Sequence, residues 1–385
     1  MTLSQTSSQN KKRIYLAAGG TGGHFFPALS LARTLQTRGH QVVMMTDDRA
    51  FKYGQQLDAL SLRTTRSATF FAGSIISRLF APLKITFGIL QAMGFYLRQR
   101  PHAVIGFGGY PSFVPLMAAR LLFIPIAIHE QNAVLGRANK ALIKIGAAIA
   151  LSYVGTKHVP HRKREHLVVT GNPLREEIIA LTDQTYQPPM THEAFKLLVF
   201  GGSQGASILS EVVPAAIAKL PAEKRKRLKL VQQCRRIELR ETLKAYNDNC
   251  VDVELRDFFQ DLPKRMQDAD LIIARSGAST VSELAAMGRP AVLVPLPGAI
   301  DQDQMNNAVQ LSNHDGAFLM EQKLFTPETL SGLLSDLMDQ PQRLKAVAQA
   351  AQKRGVRDAS DRLADFAEKI AGCSNNPETY QEVRT

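Results

Sequence analysis

One short pattern occurs twice in the chain and governs what it can fold into. An apolar run at residues 14–18 leads into GGTGGH, and a second at residues 195–200 leads into GGSQGAS. Each pattern predicts a buried strand, a glycine loop and the start of a helix. Behind each head the alternation continues. Strands are expected at 14–18, 41–46, 103–106, 125–129, 148–152 and 167–170. A second series follows at 195–200, 229–233, 251–255, 269–274 and 291–295. Helical stretches lie between them, for example 27–37, which Gly39 ends, and a further helix at 359–370 closes the chain. Such alternation implies βαβ units and a parallel sheet. A polar, proline-containing linker at 182–192 separates the two series. The expectation is two doubly wound α/β domains in tandem.

The length of 385 residues suits two domains, and 45% hydrophobic with 21% charged residues suits a soluble globular protein. The net charge of +13 favours an acidic partner: nucleic acid, an anionic lipid surface or a phosphorylated substrate. Nucleic acid is disfavoured. Trp is absent, aromatics are only 7%, and the basic residues are dispersed without a nucleic-acid signature. The three cysteines, Cys234, Cys250 and Cys373, form no CxxC pair, which fits a reducing compartment and argues against structural zinc. The first twelve residues are polar with no apolar core of a secretory signal, and are expected to be a tail.

Glycine lets backbone turn tightly and approach a ligand, and a helix starting there presents unpaired N–H groups to an anion such as phosphate. A tight turn with no ligand is the competing explanation for either loop, less so for the pair. Neither loop is a dinucleotide fingerprint. Phe25 stands where the last glycine of GxGxxG belongs, and no GxxxxGK[ST] occurs, so NAD or ATP chemistry is weakly supported. A third glycine site, GFGGYPS at 106–112, follows the strand at 103–106. Loops at the carboxyl ends of parallel strands line a crevice, so all three are expected on one rim.

Several side chains on that rim carry chemistry. His24 begins the first helix, where the positive end of the dipole favours a neutral imidazole able to accept a proton. It could equally satisfy local backbone. HEQN, 129–132, leaves a buried strand with four polar side chains, among them Glu130, a base or the orienter of one. In the second half, RSGASTVSEL starts at Arg275. Thr280 and Glu283 have capping-box spacing, and Glu283 alternatively accepts bonds from the two hydroxyls of a ribose. PLPGAIDQDQMNNA, 295–308, gathers Asp301, Gln302, Asp303, Gln304 and Asn307, suited to sugar hydroxyls or to a solvated helix start.

Residues 70–101 are apolar with Arg78, Lys84, Arg98 and Arg100 interspersed and no acidic residue. The longest uncharged run, 85–97, is shorter than the roughly 20 residues of a spanning helix. The composition suits an element lying on an anionic bilayer, or a core helix with snorkelling basic ends.

GGTGGH, GFGGYPS, HEQN, GNPLR, GGSQGA and RSGASTVSEL, in this order, resemble the MurG family, over nearly the whole chain from about Arg13 to Ile370. The resemblance implies a GT-B fold, two Rossmann-like doubly wound parallel-sheet domains facing a cleft. It divides the chain into a tail at 1–12, an acceptor and membrane-docking domain at 13–174 completed by a helix at 358–372, a UDP-GlcNAc-binding domain at 175–357, and a tail at 373–385. It implies an inverting transfer of GlcNAc from UDP-GlcNAc to the C4 hydroxyl of the muramyl sugar in undecaprenyl-linked lipid I. The product would be lipid II for peptidoglycan, made without cofactor or required metal. A UDP-GlcNAc 2-epimerase shares the architecture and is the alternative enzyme.

By motif, donor contacts fall to Thr21, Gly22, Gly23, Asn132, Arg175 and Ser203. The nucleoside falls to Ala278, Ser279, Thr280, Val281, Ser282 and Glu283, with Phe259 near uracil and Gln304 on the sugar. His24 and Glu130 are the catalytic candidates, facing the acceptor. Implied partners are an anionic membrane surface and other cell-wall synthesis and division proteins, not nucleic acid. The implied location is peripheral, on the cytoplasmic face of the inner membrane. Two departures stand out. A His-Gln-x-Gly-Lys run common in the family reads Gln232-Gln233-Cys234-Arg235-Arg236, with Arg236 supplying the lysine charge. Asp303 replaces a frequent histidine.

Overall fold

The computed structural model describes residues 11–19, 21–47, 61–64, 81–160, 167–202, 205–249, 251–298 and 301–373. Ser203, Cys250, residues 70–80 with Arg78, and the tails at 1–10 and 374–385 lie outside them.

Strands β1 (Arg13–Ala17), β2 (Gln41–Thr46), β3 (Ser61–Thr64), β4 (Ala103–Gly106), β5 (Ile126–Glu130), β6 (Ala148–Leu151) and β7 (Leu167–Val169) form one parallel sheet, in the order β3-β2-β1-β4-β5-β6-β7. Strands β8 (Phe195–Phe200), β9 (Leu228–Gln233), β10 (Val253–Arg256), β11 (Leu271–Ala274), β12 (Ala291–Leu293) and β13 (Phe318–Leu319) form a second, in the order β10-β9-β8-β11-β12-β13. Both have the same logic. The chain winds outward from the first strand, returns, and winds out on the other side. The reversal lies between β1 and β4 in one sheet and between β8 and β11 in the other. Those are the two places where connecting loops part and leave a crevice at the strand carboxyl ends.

The described residues up to Arg175, with those from Asp358 onward, form one compact unit, and Glu176–Arg357 form the other. Helices cover both faces of the first sheet, so its central strands β1 and β4 are buried over most of their length. Ile14 and Leu16 of β1 pack with Leu31 and Leu35 of the helix Gly22–Thr37 and with Leu363 and Phe366 of the helix Ala359–Ile370. Tyr15 and Ala17, on the opposite face, pack with Tyr96 and Leu116. The last helix is therefore part of the first unit's core. Burying Leu363 and Phe366 is worth about 1.5–3 kcal/mol each. Arg38 fastens its outer face, donating to Asp361 at 2.8 Å and to Asp365 at 2.6 Å, with Glu368 at 3.1 Å.

Three differences from the sequence reading have local causes. The first helix starts at Gly22, not at residue 27, with Pro27 inside it. Proline ordinarily marks a first turn. Here it forgoes one backbone bond a turn later, as Pro115 and Pro214 do inside Tyr110–Leu121 and Ser207–Ala218. Strand β3 and the two-residue β13 are edge strands, too short to show a period of two.

Candidate active site

Three loops of the first unit meet at its strand ends. Register aligns Ala17 of β1 with Gly106 of β4, and Gly106 with Ile128 of β5. The segments GGTGGH, GFGGYPS and HEQN leave the sheet close to this level. The helix Gly22–Thr37 begins after Thr21 with no side-chain cap and no acidic residue in its first turn. His24 is its third residue. Thr21, Gly22 and Gly23 are the helix start itself. A Cβ on Gly23 would meet nothing within 4 Å. The His24 ring is lodged among glycines. Cβ atoms placed on Gly19, Gly108 and Gly109 would come within 3.6, 3.3 and 3.5 Å of it. Gly108 and Gly109 also have φ of +84° and +73°, so side chains there would be both strained and obstructive.

His24 Nδ1 lies 3.0 Å from Gln131 Oε1. Gln131 Nε2 in turn donates to His129 Nδ1 and to the His129 carbonyl, each at 3.0 Å. His129 is fully buried, and burial pushes its imidazole down to about 4, opposed by a bond to Gly171 O. Glu130 ends β5. Its Oε1 accepts from Asn132 N and Nδ2, both at 3.1 Å, and its Oε2 from Gly136 N and Asn139 Nδ2, both at 2.8 Å. It is 2% exposed. Four donors fill this carboxylate, so Glu130 anchors the loop carrying Asn132. Gln131, which HEQN names without distinguishing, is the member in contact with His24. Arg175 lays its guanidinium 5.0 Å from the Phe26 ring centroid, on the first turns of the His24 helix.

In the second unit the loops after β8 and β11 flank the reversal. The loop after β8 folds back hard: a Cβ on Gly201 would sit 2.5 Å from Ala206 N. The helix Ser207–Ala218 then begins uncapped with no acid in its first turn. The helix Ala278–Met287 also begins uncapped, after Gly277. This overturns the capping box, because Thr280 lies inside the helix and not at its N-cap. Ala278, Ser279 and Thr280 are its first three residues, followed by Val281 and Ser282, with Glu283 buried in the second turn. Arg275 ties the neighbouring loops together, donating to Val294 O and Pro295 O at 3.0 Å each and to Gln322 Oε1 at 2.7 Å. Gln304 accepts from Leu296 N at 3.0 Å. Asn307, one of the polar residues suited to sugar hydroxyls or to a solvated helix start, is fully buried and donates to Ser276 O at 3.2 Å. Phe259 is buried beneath Arg265, whose guanidinium lies 4.3 Å from the ring centroid.

Comparison with known proteins completes the assignment. The glycosyltransferase family 28 N-terminal domain matches residues 14–151 and the family 28 C-terminal domain residues 196–363. A relative from Methylorubrum extorquens (strain PA1) is 46% identical over 363 residues, 94% of this chain and 98% of its own. It is named UDP-N-acetylglucosamine–N-acetylmuramyl-(pentapeptide) pyrophosphoryl-undecaprenol N-acetylglucosamine transferase. A relative of the same name from Agrobacterium fabrum is 45% identical over 94% of this chain and 95% of its own. The crystal structure of Acinetobacter baumannii MurG matches with a TM-score of 0.73 at 32% identity, over 93% of this chain and 99% of that one. The chain belongs to the MurG family. Its architecture is accordingly the GT-B fold of two parallel-sheet α/β domains.

At 232–236 of this MurG-family chain, an arginine occupies space beside the second glycine loop. Gly205, with φ of +71°, leaves the space its Cβ would occupy to Arg235, whose Cγ would be 2.6 Å away. Arg235 lies along the second glycine loop, held by Glu238. The residue on the loop is thus Arg235 and not Arg236, which has no hydrogen bond or ion pair among the described residues. Another feature was only half legible. The helix Ala81–Arg98 buries Ala92 and Tyr96 and exposes Leu83, Phe87, Leu90 and Leu97 along one stripe. Leu121 and Phe123, which the sequence did not single out, are also exposed, at the end of the neighbouring helix Tyr110–Leu121. Arg100 and Arg120 hold the backbone around them. No helix among the described residues is long and apolar enough to cross a membrane.

Proposed function

We propose that the chain transfers GlcNAc from UDP-GlcNAc to the N-acetylmuramyl-pentapeptide carried on pyrophosphoryl-undecaprenol. The oxygen at C4 of the muramyl sugar forms the new bond to the anomeric carbon. The bond from that carbon to the β-phosphate oxygen breaks with inversion, and UDP leaves with the electron pair. His24 takes the proton of the attacking hydroxyl. The observation that carries this reading is the seat of His24, on an uncapped helix start and walled by glycines that leave its edge open. Such a base is worth about 10²–10⁴-fold. Glu130 positions Asn132 and its loop.

The donor falls to the second unit. Uncapped helix starts at Ser207 and Ala278 offer N–H groups to the diphosphate, supplying fixed charge stabilisation to the leaving group. Ser203, Phe259, Gln304 and the segment from Ala278 to Glu283 complete the proposed donor set. Thr21, Gly22, Gly23, Asn132 and Arg175 remain donor-contact candidates by motif. The acceptor's lipid carrier places the reaction at a membrane. The exposed stripe of Leu83, Phe87, Leu90 and Leu97 suits docking on the cytoplasmic leaflet, with nearby arginines against anionic headgroups.

The deciding experiment follows labelled GlcNAc from UDP-GlcNAc into a lipid I analogue, with and without chelator. Transfer is expected in both, with kcat about 10²–10⁴-fold lower for His24→Ala. Absence of transfer, or epimer formation from UDP-GlcNAc alone, would overturn the assignment.

A further inference from the structure

We propose that His129 and Gln131 form a relay that fixes the tautomer of His24, presenting a bare Nε2 to the acceptor hydroxyl. The inference rests on the role given to His24 above and adds two positioning residues to it. Its geometry runs in one direction from the interior outward. Gly171 O can only accept, so the His129 Nε2 at 2.9 Å must carry a hydrogen. His129 is fully buried and neutral, which leaves its Nδ1 without a hydrogen. The next group is the Gln131 amide, 1% exposed. Its nitrogen faces two acceptors at 3.0 Å, His129 Nδ1 and the His129 carbonyl oxygen.

The orientation of a glutamine amide is decided by its partners. Here the decision is secure twice over. Turning the amide round would set its oxygen against the His129 carbonyl, two acceptors in contact, whichever tautomer His129 held. It would also set that oxygen against a bare ring nitrogen. Both amide hydrogens are therefore spent inward, and Oε1 faces His24 Nδ1 at 3.0 Å. An amide oxygen only accepts, so His24 must carry its hydrogen on Nδ1. The lone pair is then on Nε2. That nitrogen lies on the side of Gly109, where a Cβ would stand 3.7 Å from it and where glycine leaves the space empty.

An isolated imidazole favours the opposite tautomer, with the hydrogen on Nε2, which could not accept a proton there. The relay thus does for His24 what a buried carboxylate does for the histidine of a hydrolase triad, using a neutral amide. When Nε2 takes the proton, the Nδ1–H bond to Gln131 is retained and stabilises the imidazolium. The proton then passes to solvent. No electron pair moves within the relay.

The test is a 15N spectrum of the full-length protein labelled at histidine, at neutral pH and without substrate, with the His24 ring assigned by its loss in His24→Gln. Wild type is expected to show His24 protonated at Nδ1 and bare at Nε2. Gln131→Leu is expected to shift His24 toward the Nε2–H form, lowering kcat by about 10²-fold or more while the KM for UDP-GlcNAc changes little. A wild-type His24 protonated at Nε2 would overturn the relay, and that measurement needs only the variant used for assignment. An unchanged His24 pattern in a folded Gln131→Leu protein would overturn it equally. Because the spectrum is read without turnover, an Nδ1–H His24 in a protein that fails to transfer GlcNAc would refute the activity and leave the relay standing.

Discussion

Lowering the pH from 7 to 5 should cost the first unit about 2 kcal/mol through His129 alone. The imidazole is pushed down to about 4 by burial, with the Gly171 bond offsetting only part. A histidine in the unfolded chain titrates near 6.5. The folded value is the lower of the two, so between them the unfolded state binds more protons and stability rises with pH. The contribution is complete above 6.5 and disappears as pH falls toward 4, reaching about 3 kcal/mol in total. At pH 5 the unfolded imidazole is almost wholly protonated and the folded one mostly neutral, which gives the smaller figure. Protonation would also place a hydrogen on Nδ1, facing the Gln131 amide donors, so the two costs have one origin. Urea unfolding of the wild type and of His129→Asn at pH 7 and pH 5 measures it. The variant is expected to be less stable at both, with a pH increment smaller by about 2 kcal/mol. Equal increments in the two proteins would refute the assignment of His129 as a buried neutral imidazole.

Glu283→Ala should weaken UDP binding by about 1.5–3 kcal/mol, roughly 10–150-fold, with no lost helix cap, since the cap position is Gly277. Isothermal titration with UDP checks this, and an unchanged Kd would remove Glu283 from the nucleoside site. Gly205→Ala forces a Cβ against Arg235 Cγ at a backbone φ of +71°. It should cost about 1–3 kcal/mol of second-unit stability and displace Arg235 from the loop. A thermal scan showing no change would mean that the loop relaxes freely. Replacing Phe87 and Leu90 by serine should abolish co-sedimentation with anionic vesicles while leaving transfer to a soluble acceptor intact. Retained vesicle binding would place the docking surface elsewhere.

Much of the fold was legible because burial on both faces leaves little choice. AVIG and LIIA are apolar throughout, and RIYLA and FKLLVF are apolar but for Arg13 and Lys196 near their starts, which is what a central parallel strand requires. What escaped lay at the margins. Ser61–Thr64 and Phe318–Leu319 are edge strands with one neighbour each, so packing asks less of their residue types. The start of the Gly22 helix was hidden by Pro27 and two glycines, poor helix formers that the tertiary fold overrules. The stripe on Ala81–Arg98 was ambiguous for a physical reason. A helix with one buried and one exposed apolar face has no polar face to mark its orientation, and only packing decides which side is left out.

The candidate site divides in the same way. Glycine loops announce where an anion can approach, because bare backbone has a sequence signature. The directions of hydrogen bonds do not. HEQN contains a carboxylate, and carboxylates attract catalytic roles on chemical grounds. Yet neighbouring residues of one motif can take different partners, and the motif does not say which. The structure gives Glu130 to Asn132, Gly136 and Asn139, and Gln131 to the imidazole. In the role proposed for His24, a neutral amide is also the better partner, because that base would have to release its proton each turnover. A carboxylate at 3 Å would hold the imidazolium and lower its tendency to let go. A Gln131→Glu protein puts this to the test. If it retained the Nδ1–H tautomer yet turned over more slowly at neutral pH, with its kcat profile displaced to higher pH, the amide would be there for its lack of charge. Turnover and a pH profile equal to those of wild type would show that any acceptor suffices.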